Sequence, residues 1–148
     1  MSKKYNLFLL FVLLILPACQ KTISPAGFED IFQVPSTWFG ALDADRSENV
    51  EYPRVYMNFI WREGNTVQGT FFIKDDILPN LHSGITDFCV EFQGRAAKFK
   101  FMKEEYSALN GLWLLYSNDK SCPRFYKGID GSDDYYFVVL QPYTRVVQ

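Results

Sequence analysis

The sequence has one histidine, His82, and no excess of basic residues, since 15 Lys and Arg stand against 17 Asp and Glu in 148 residues. A single histidine disfavours multi-histidine metal sites and most catalysis by histidine relays. The charge balance lacks the basic surface that nucleic acid requires. The longest apolar run, Leu7–Leu16, is about half the length of a membrane-spanning helix.

Aromatic residues are plentiful by contrast. Phe, Tyr and Trp make up 18% of the chain, which is far more than a disordered tail contains. The length is typical of one domain that buries a core of its own. No repeat or low-complexity segment divides the chain after its N-terminal region. We therefore expect a single folded domain over residues 36–148.

The N-terminus resembles the signal peptide of a bacterial lipoprotein. A basic start at residues 2–4 precedes the apolar run, which ends in the tetrapeptide Leu16–Cys19. Leucine at −3, a small residue at −1 and cysteine at +1 are similar to a lipobox. The resemblance covers residues 1–20 alone. The alternative is an ordinary secretory signal that is cut after Ala18 and leaves Cys19 as a plain thiol.

The lipoprotein resemblance implies that residues 1–18 are removed and that Cys19 becomes a lipidated N-terminus carrying acyl chains such as palmitate. Several acyl chains hold a protein firmly on a membrane. Gln20 replaces the aspartate that commonly marks inner-membrane retention in enteric lipoproteins. The resemblance therefore implies an outer-membrane protein that faces the periplasm or the cell surface. Residues 19–35 are then expected to form a tether, with a short helical turn at 28–32.

Two cysteines remain for the folded domain, Cys89 and Cys122. An even number of thiols in an oxidising compartment favours a disulfide, which would stabilise the fold by roughly 3–4 kcal/mol. Two free buried thiols are the main alternative. The spacing matches no metal motif, and we expect neither a metal nor another cofactor.

A first hairpin is predicted from apolar residues that alternate with polar ones on both sides of residues 63–65. A three-residue loop there places the apolar side chains of both strands on one face. Asn65 is then expected to adopt the left-handed conformation. The expected pairs are Val55–Ile73, Met57–Phe71, Phe59–Gly69 and Trp61–Val67.

A second hairpin is predicted around a two-residue turn at Gly94 and Arg95. It places Cys89 on the outer face, opposite Lys100. The remaining expected pairs are Phe88–Phe101, Val90–Phe99, Glu91–Lys98 and Phe92–Ala97.

Further strands are expected at 37–42, 112–117, 124–127 and 135–141, and helical turns at 76–81 and 104–109. About eight short strands joined mainly by short connections predict an all-β fold, a small antiparallel meander that closes as a barrel or a sandwich. This architecture is weakly similar to the calycin group, but no residue role is carried over from it.

Candidate catalytic residues are few. His82 lies in a predicted loop, where an exposed histidine is the simpler reading, although a hydrolase could use it with a serine or acidic partner. Carboxylate pairs at 75–76, 104–105 and 133–134 lie at turns, where solvated residues are usual. The oxygen-rich stretch 130–134 lacks the spacing and the distal glutamate of an EF-hand loop.

The aromatic residues are the more informative candidates. Neighbouring aromatics in a strand point to opposite faces, so strands 112–116 and 135–140 are apolar on both sides. The outer face must then be covered by the tether, a ligand or a partner. The candidate binding aromatics are Tyr56, Phe72, Trp113, Tyr135 and Tyr136.

Together these features favour a lipid-anchored envelope protein whose domain is a non-enzymatic binding module. Its expected partners are the membrane, through Cys19, and an envelope protein or small apolar ligand. Nucleic acid is not an expected partner. The alternative is a lipid-anchored periplasmic hydrolase that uses His82.

Overall fold

The computed structural model describes residues 26–43, 54–74 and 81–144. In these residues, eight consecutive antiparallel strands form a closed barrel, with short helices accounting for little of the chain. The predicted all-β meander is confirmed, and it is a barrel because β1 also pairs with β8. The elements are α1 (Phe28–Ile31), β1 (Ser36–Asp43), β2 (Val55–Glu63), β3 (Thr66–Ile73), β4 (Gly84–Gln93), β5 (Ala96–Phe101), a 3-10 helix (Glu104–Leu109), β6 (Gly111–Ser117), β7 (Arg124–Gly128) and β8 (Tyr135–Pro142).

Each strand reverses direction, so the connections gather at two ends of the barrel. The α1 end holds α1, the turns at 64–65 and 94–95, and the β6–β7 loop. The 3-10 end holds the 3-10 helix and the β7–β8 connection.

The first predicted hairpin is confirmed over most of its length. Phe59 pairs with Gly69 as expected, as do the two apolar pairs nearer the 3-10 end. The register then shifts between Phe59 and Trp61, and Trp61 pairs with Gln68 instead of Val67. The turn also differs, because Gly64 has a φ of 60° while no described residue other than glycine has a positive φ. A glycine at the first turn position matches a two-residue hairpin turn.

The second predicted hairpin is confirmed pair by pair. Phe88 lies opposite Phe101, and Val90 lies opposite Phe99. Both pairs point into the barrel and are buried. On the outer face, Cys89 lies opposite Lys100 as predicted. Gly94 supplies the positive φ, 65°, that the turn requires.

Aromatic rings fill much of the barrel interior. Phe99 stacks in parallel on Phe101 at 5.7 Å between ring centroids and on Phe125 at 6.3 Å. Trp113 meets Phe125 edge to face at 5.7 Å, a geometry that such rings favour. Its indole N–H donates to the carbonyl of Leu109 at 2.9 Å, so the buried polar group is satisfied.

Helix α1 closes one end of the barrel with its aromatic side chains. Phe28 and Phe32 are fully buried, and Phe28 contacts Phe92 at 5.7 Å and Phe125 at 5.5 Å. The Gly27 N–H donates to the Asp30 carboxylate at 2.8 Å, which caps the short helix. The predicted helical turn is therefore present, but it belongs to the core. The folded unit begins before Ser36, within the segment 19–35 that the sequence assigned to a tether.

The 3-10 helix covers the other end, where a helical turn was predicted at 104–109. It buries Tyr106 and Leu109, and the Tyr106 hydroxyl donates to the His82 carbonyl at 3.0 Å. The helix thereby ties the β5–β6 connection to the start of β4. Of the other predicted turn, 76–81, residues 76–80 lie outside the described part of the chain.

Candidate binding surfaces

Among the described residues, a small cavity of about 10 Å³ with apolar walls lies in the barrel interior. A cavity must be about this large to hold one water molecule, and pockets for small ligands are usually at least tens of times larger. The lining residues are Leu42, Met57, Phe71, Phe99, Phe101, Leu109, Trp113, Phe125 and Val138. The part of the interior that these residues form is thus a packed core, and the exposed candidate residues lie on the outer wall.

A row of apolar side chains crosses the outer wall on β1 to β4, and we call it the aromatic row. Phe39, Tyr56, Phe72 and Ile85 are successive partners across the four strands. The rings of Tyr56 and Phe72 lie 6.0 Å apart, and Tyr143 packs edge to face on Phe39 at 6.0 Å. Two basic residues, Arg54 and Lys74, lie next to the aromatic row on the side of the 3-10 end. Arg54 directly precedes β2 and Lys74 directly follows β3, and the Lys74 N–H donates to the Arg54 carbonyl at 2.8 Å.

A second outer surface, the β6–β8 patch, covers three strands. Leu114 pairs with Tyr126, which pairs with Phe137. Tyr135 meets Tyr126 at 5.5 Å between ring centroids, and Leu112 extends the patch along β6. Leu112, Leu114 and Tyr135 are exposed. The apolar residues predicted on both faces of β6 and β8 are therefore present, and those on the outer face form an exposed apolar surface.

The five predicted binding aromatics fall into two groups. Tyr56 and Phe72 lie in the aromatic row, and Tyr135 lies in the β6–β8 patch. Trp113 instead points inward and is buried, and Tyr136 packs against the core from inside the barrel. Trp113 and Tyr136 are therefore part of the fold's interior and are not surface groups. Because both faces of their strands are apolar, alternation alone did not fix which face was inside.

A third exposed apolar group, missed by sequence reasoning, lies at a bulge in β2 near the α1 end. The register shift leaves both Ile60 and Trp61 facing solvent, with exposed fractions of 56% and 51%. Without a bulge, strict alternation would point Trp61 inward like Phe59. No local sequence signal separates this bulge from a continuous strand.

The predicted Cys89–Cys122 disulfide is absent, and both half-buried thiols are free. Cys89 lies in β4, whereas Cys122 lies two residues before β7, so β5 and β6 separate them. Two intervening strands keep the residues at least about 10 Å apart. A disulfide requires Cα atoms within about 7 Å. The even number of cysteines is a property of the composition, and it carries no information about the distance between the two residues in the fold.

His82 lies just before β4, beside the 3-10 helix. Its side chain is exposed, and its backbone carbonyl accepts a hydrogen bond from the Tyr106 hydroxyl. Burial raises the pKa of the Tyr106 hydroxyl above its ordinary value, and the nearby Glu105 carboxylate adds to the rise. The hydroxyl therefore stays protonated and acts as a hydrogen-bond donor.

Two acidic residues at described turns bond within their own loops, whereas the predicted carboxylate pair at 75–76 lies outside the described residues. In the β6–β7 loop, the Asp119 carboxylate accepts the Ser121 hydroxyl at 2.7 Å and the Ser121 N–H at 2.9 Å. These bonds lower the pKa of Asp119. In the β7–β8 connection, the Ser132 hydroxyl donates to Asp134 at 3.1 Å. Across the described ranges, no three His, Cys, Asp or Glu side chains are grouped so as to hold a metal ion.

Comparisons with known proteins leave these surfaces as the main guide to function. No family model, curated protein or solved structure matches the chain. Within the residues that the structure describes, no helix is both long and apolar enough to cross a bilayer.

Proposed function

We propose that the chain is a lipid-anchored lipoprotein of the bacterial outer membrane whose barrel binds an envelope protein without catalysing a reaction. The lipobox-like Leu16–Cys19 supports the anchor, and Gln20 supports the outer membrane. The barrel wall supports binding, because apolar side chains lie in register on its outside while the inside is already filled. The β6–β8 patch is the docking surface in this proposal.

The single observation that carries the proposal is the exposure of the β6–β8 patch. A soluble domain gains about 25 cal/mol for each Å² of apolar surface that it removes from water. Contiguous apolar groups left on the surface of such a domain commonly mark an interaction site. Tyr126 and Tyr135 also match the enrichment of tyrosine at protein interfaces, where the ring is buried and the hydroxyl bonds to the rim.

A protein partner fits better than a small apolar ligand. A small ligand needs a concave pocket that buries most of its surface, and the interior cavity of about 10 Å³ is far too small for one. The patch instead spans side chains on three adjacent strands. A closed barrel has no free strand edge to extend, so the partner must be held by side chains on the wall.

The experiment is chemical crosslinking in intact cells that produce the chain with its signal, followed by purification and mass spectrometry. The wild type should recover one stoichiometric envelope protein. Leu112→Thr combined with Leu114→Thr should reduce recovery strongly, because it removes two exposed apolar side chains from the β6 side of the patch. Threonine suits an exposed strand position, so the barrel should remain folded.

A matched control lies on the opposite part of the wall. Leu114 and Phe72 are both 38% exposed, and Ile85 is comparable in exposure to Leu112. Phe72→Thr combined with Ile85→Thr should therefore leave recovery unchanged. If this control pair abolishes recovery and the Leu112/Leu114 pair does not, the docking surface is the aromatic row. If no partner is recovered with the wild type, the binding function is refuted.

The hydrolase alternative predicts a different result. His82→Ala should abolish any hydrolytic activity that depends on the histidine while leaving partner recovery unchanged. Loss of recovery in this variant would contradict a binding surface confined to the outer wall of β6–β8.

A further inference from the structure

We infer that the barrel stands with its α1 end on the bilayer and that Ile60 and Trp61 enter the lipid interface. This inference rests on the proposed lipid anchor and adds an orientation and a contact site to it. The chain enters the fold at the α1 end. The Phe28 N–H donates to the Gly94 carbonyl at 2.8 Å, so Gly27 lies directly against the β4–β5 turn at the α1 end.

The length of chain before Gly27 limits how far that end can be from the membrane. Cys19 and Gly27 are eight residues apart. Eight residues span at most about 26–29 Å when fully extended. β4 alone contains 10 residues, which corresponds to a strand length of about 33 Å. An anchor at Cys19 would therefore keep the α1 end within about 26–29 Å of the lipid, a span shorter than β4 itself, and the α1 end is the part of the barrel that the tether joins.

The bulge in β2 provides suitable side chains at this end. Both Ile60 and Trp61 are more than half exposed, although they follow the buried Phe59 in the same strand. A bulge redirects side chains at the end of a strand pair. Tryptophan is enriched at the boundary between lipid and water, because its ring is apolar and its N–H remains hydrogen-bonded. Trp61 and Ile60 are thus placed where a lipid surface would cover them.

β2 ends with two charged residues, Arg62 and Glu63, which can lie among the polar headgroups of a bilayer. Arg62 forms an ion pair with Glu29 of α1 at 2.8 Å, which ties β2 to the helix that follows the tether. Both side chains remain partly exposed. The Arg62–Glu29 pair therefore places the end of β2 beside α1, so the bulge and the start of the fold lie at the same end of the barrel.

Tryptophan fluorescence tests the orientation directly. The chain has three tryptophans, of which Trp38 and Trp113 are buried in the core. Trp61 is the exposed one. The full lipidated protein is reconstituted into phosphatidylcholine vesicles with or without bromine on the acyl chains. Bromine should remove most of the Trp61 emission, and Trp61→Phe should lose this quenchable component.

A matched reporter at the far end makes the test specific. Ile85 is 53% exposed and lies at the start of β4, at the 3-10 end. Ile85→Trp in the Trp61→Phe background should give emission that bromine does not quench. Quenching of this far-end reporter, or equal protection of both positions, would overturn the inference. A blue-shifted Trp61 emission without bromine quenching would also overturn it, because a protein surface would then cover the bulge.

Failure of the anchor gives a different result from failure of the orientation. If the processed protein does not associate with vesicles, and Cys19→Ala changes nothing, the proposed lipoprotein itself is wrong. If the protein associates through Cys19 but Trp61 is not quenched, the anchor stands and the end-on contact is refuted.

Discussion

The ring of Phe88 occupies the space that a side chain at residue 69 would need. A β-carbon built on Gly69 would lie 2.7 Å from the Phe88 Cζ atom and would also collide with the Asn58 carbonyl oxygen. Gly69 lies between Phe59 on β2 and Phe88 on β4, and those two rings meet edge to face at 5.5 Å. The glycine is therefore the gap through which two core phenylalanines contact each other across an intervening strand.

Gly69→Ala should destabilise the barrel by at least about 1–3 kcal/mol, because the added methyl overpacks a filled core. Urea unfolding followed by circular dichroism measures the change. Gly128→Ala is the matched control, since a β-carbon there meets no atom within 4 Å. Its effect should stay within about 0.5 kcal/mol. Equal effects of the two substitutions would contradict the packing described for Gly69.

Phe28→Ala should cost about 3–5 kcal/mol, as expected for removing a fully buried ring. The ring packs on Phe32, Phe92 and Phe125, so its loss opens the α1 end. Thermal unfolding measures the change in midpoint. Gln33→Ala, at an exposed position two residues after α1, should be nearly neutral. If Phe28→Ala left the unfolding midpoint unchanged, Phe28 would not be part of the core, and residues 19–35 would be a tether as the sequence predicted.

Tyr106→Phe should cost about 0.5–1.5 kcal/mol near pH 8, because the His82 carbonyl loses its donor. The pKa of Tyr106 is raised in the folded barrel, so above about pH 10 the unfolded chain loses this proton more readily than the folded chain. Rising pH then removes the stabilising contribution of the Tyr106 proton from the wild type, a contribution that the phenylalanine variant does not have. The stability difference between wild type and variant should shrink from pH 8 to pH 11, as urea midpoints would show. A constant difference would contradict the burial of this hydroxyl.

The number of free thiols in the folded domain can be measured by alkylation. After unfolding without a reductant, alkylation should label both Cys89 and Cys122, which are free in the structure. Mass spectrometry of the peptides reads out the label. Cys89→Ser and Cys122→Ser should each leave the other cysteine fully labelled. A chain whose two thiols react only after reduction would show that they are joined, contrary to the separation of their strands.

The hairpins were predictable from sequence because their signal is local. Phe59, Phe88 and their partners alternate strictly, and one residue of slip would turn every apolar side chain outward. The same rule failed at Trp61, where an extra residue in β2 reverses the alternation. A bulge is selected by the whole pair of strands, so the sequence of one strand does not reveal it.

The outer surfaces were predictable only in part. Apolar residues on both faces of β6 showed that some must lie outside, yet Trp113 was assigned to the surface although it lies inside. Its orientation depends on an acceptor for its N–H, and that acceptor is the Leu109 carbonyl at the end of the 3-10 helix. The closing pair of β1 and β8 joins residues about 100 positions apart. Contacts between residues so far apart in the sequence do not change the alternation of apolar and polar residues in either strand, so the sequence does not reveal them.

An even number of strands returns the chain to the end where it entered. β8 runs toward the α1 end and stops at Pro142, and the Tyr143 N–H bonds to the Thr37 carbonyl near the start of β1. A fluorescent protein or affinity tag fused after β8 would consequently sit at the α1 end, the end that also carries Ile60 and Trp61. The exposed turn around Gly131, where a β-carbon meets no atom within 4 Å, lies at the opposite end. A short epitope inserted there would therefore be displayed at the 3-10 end, a full barrel length from a tag fused after β8.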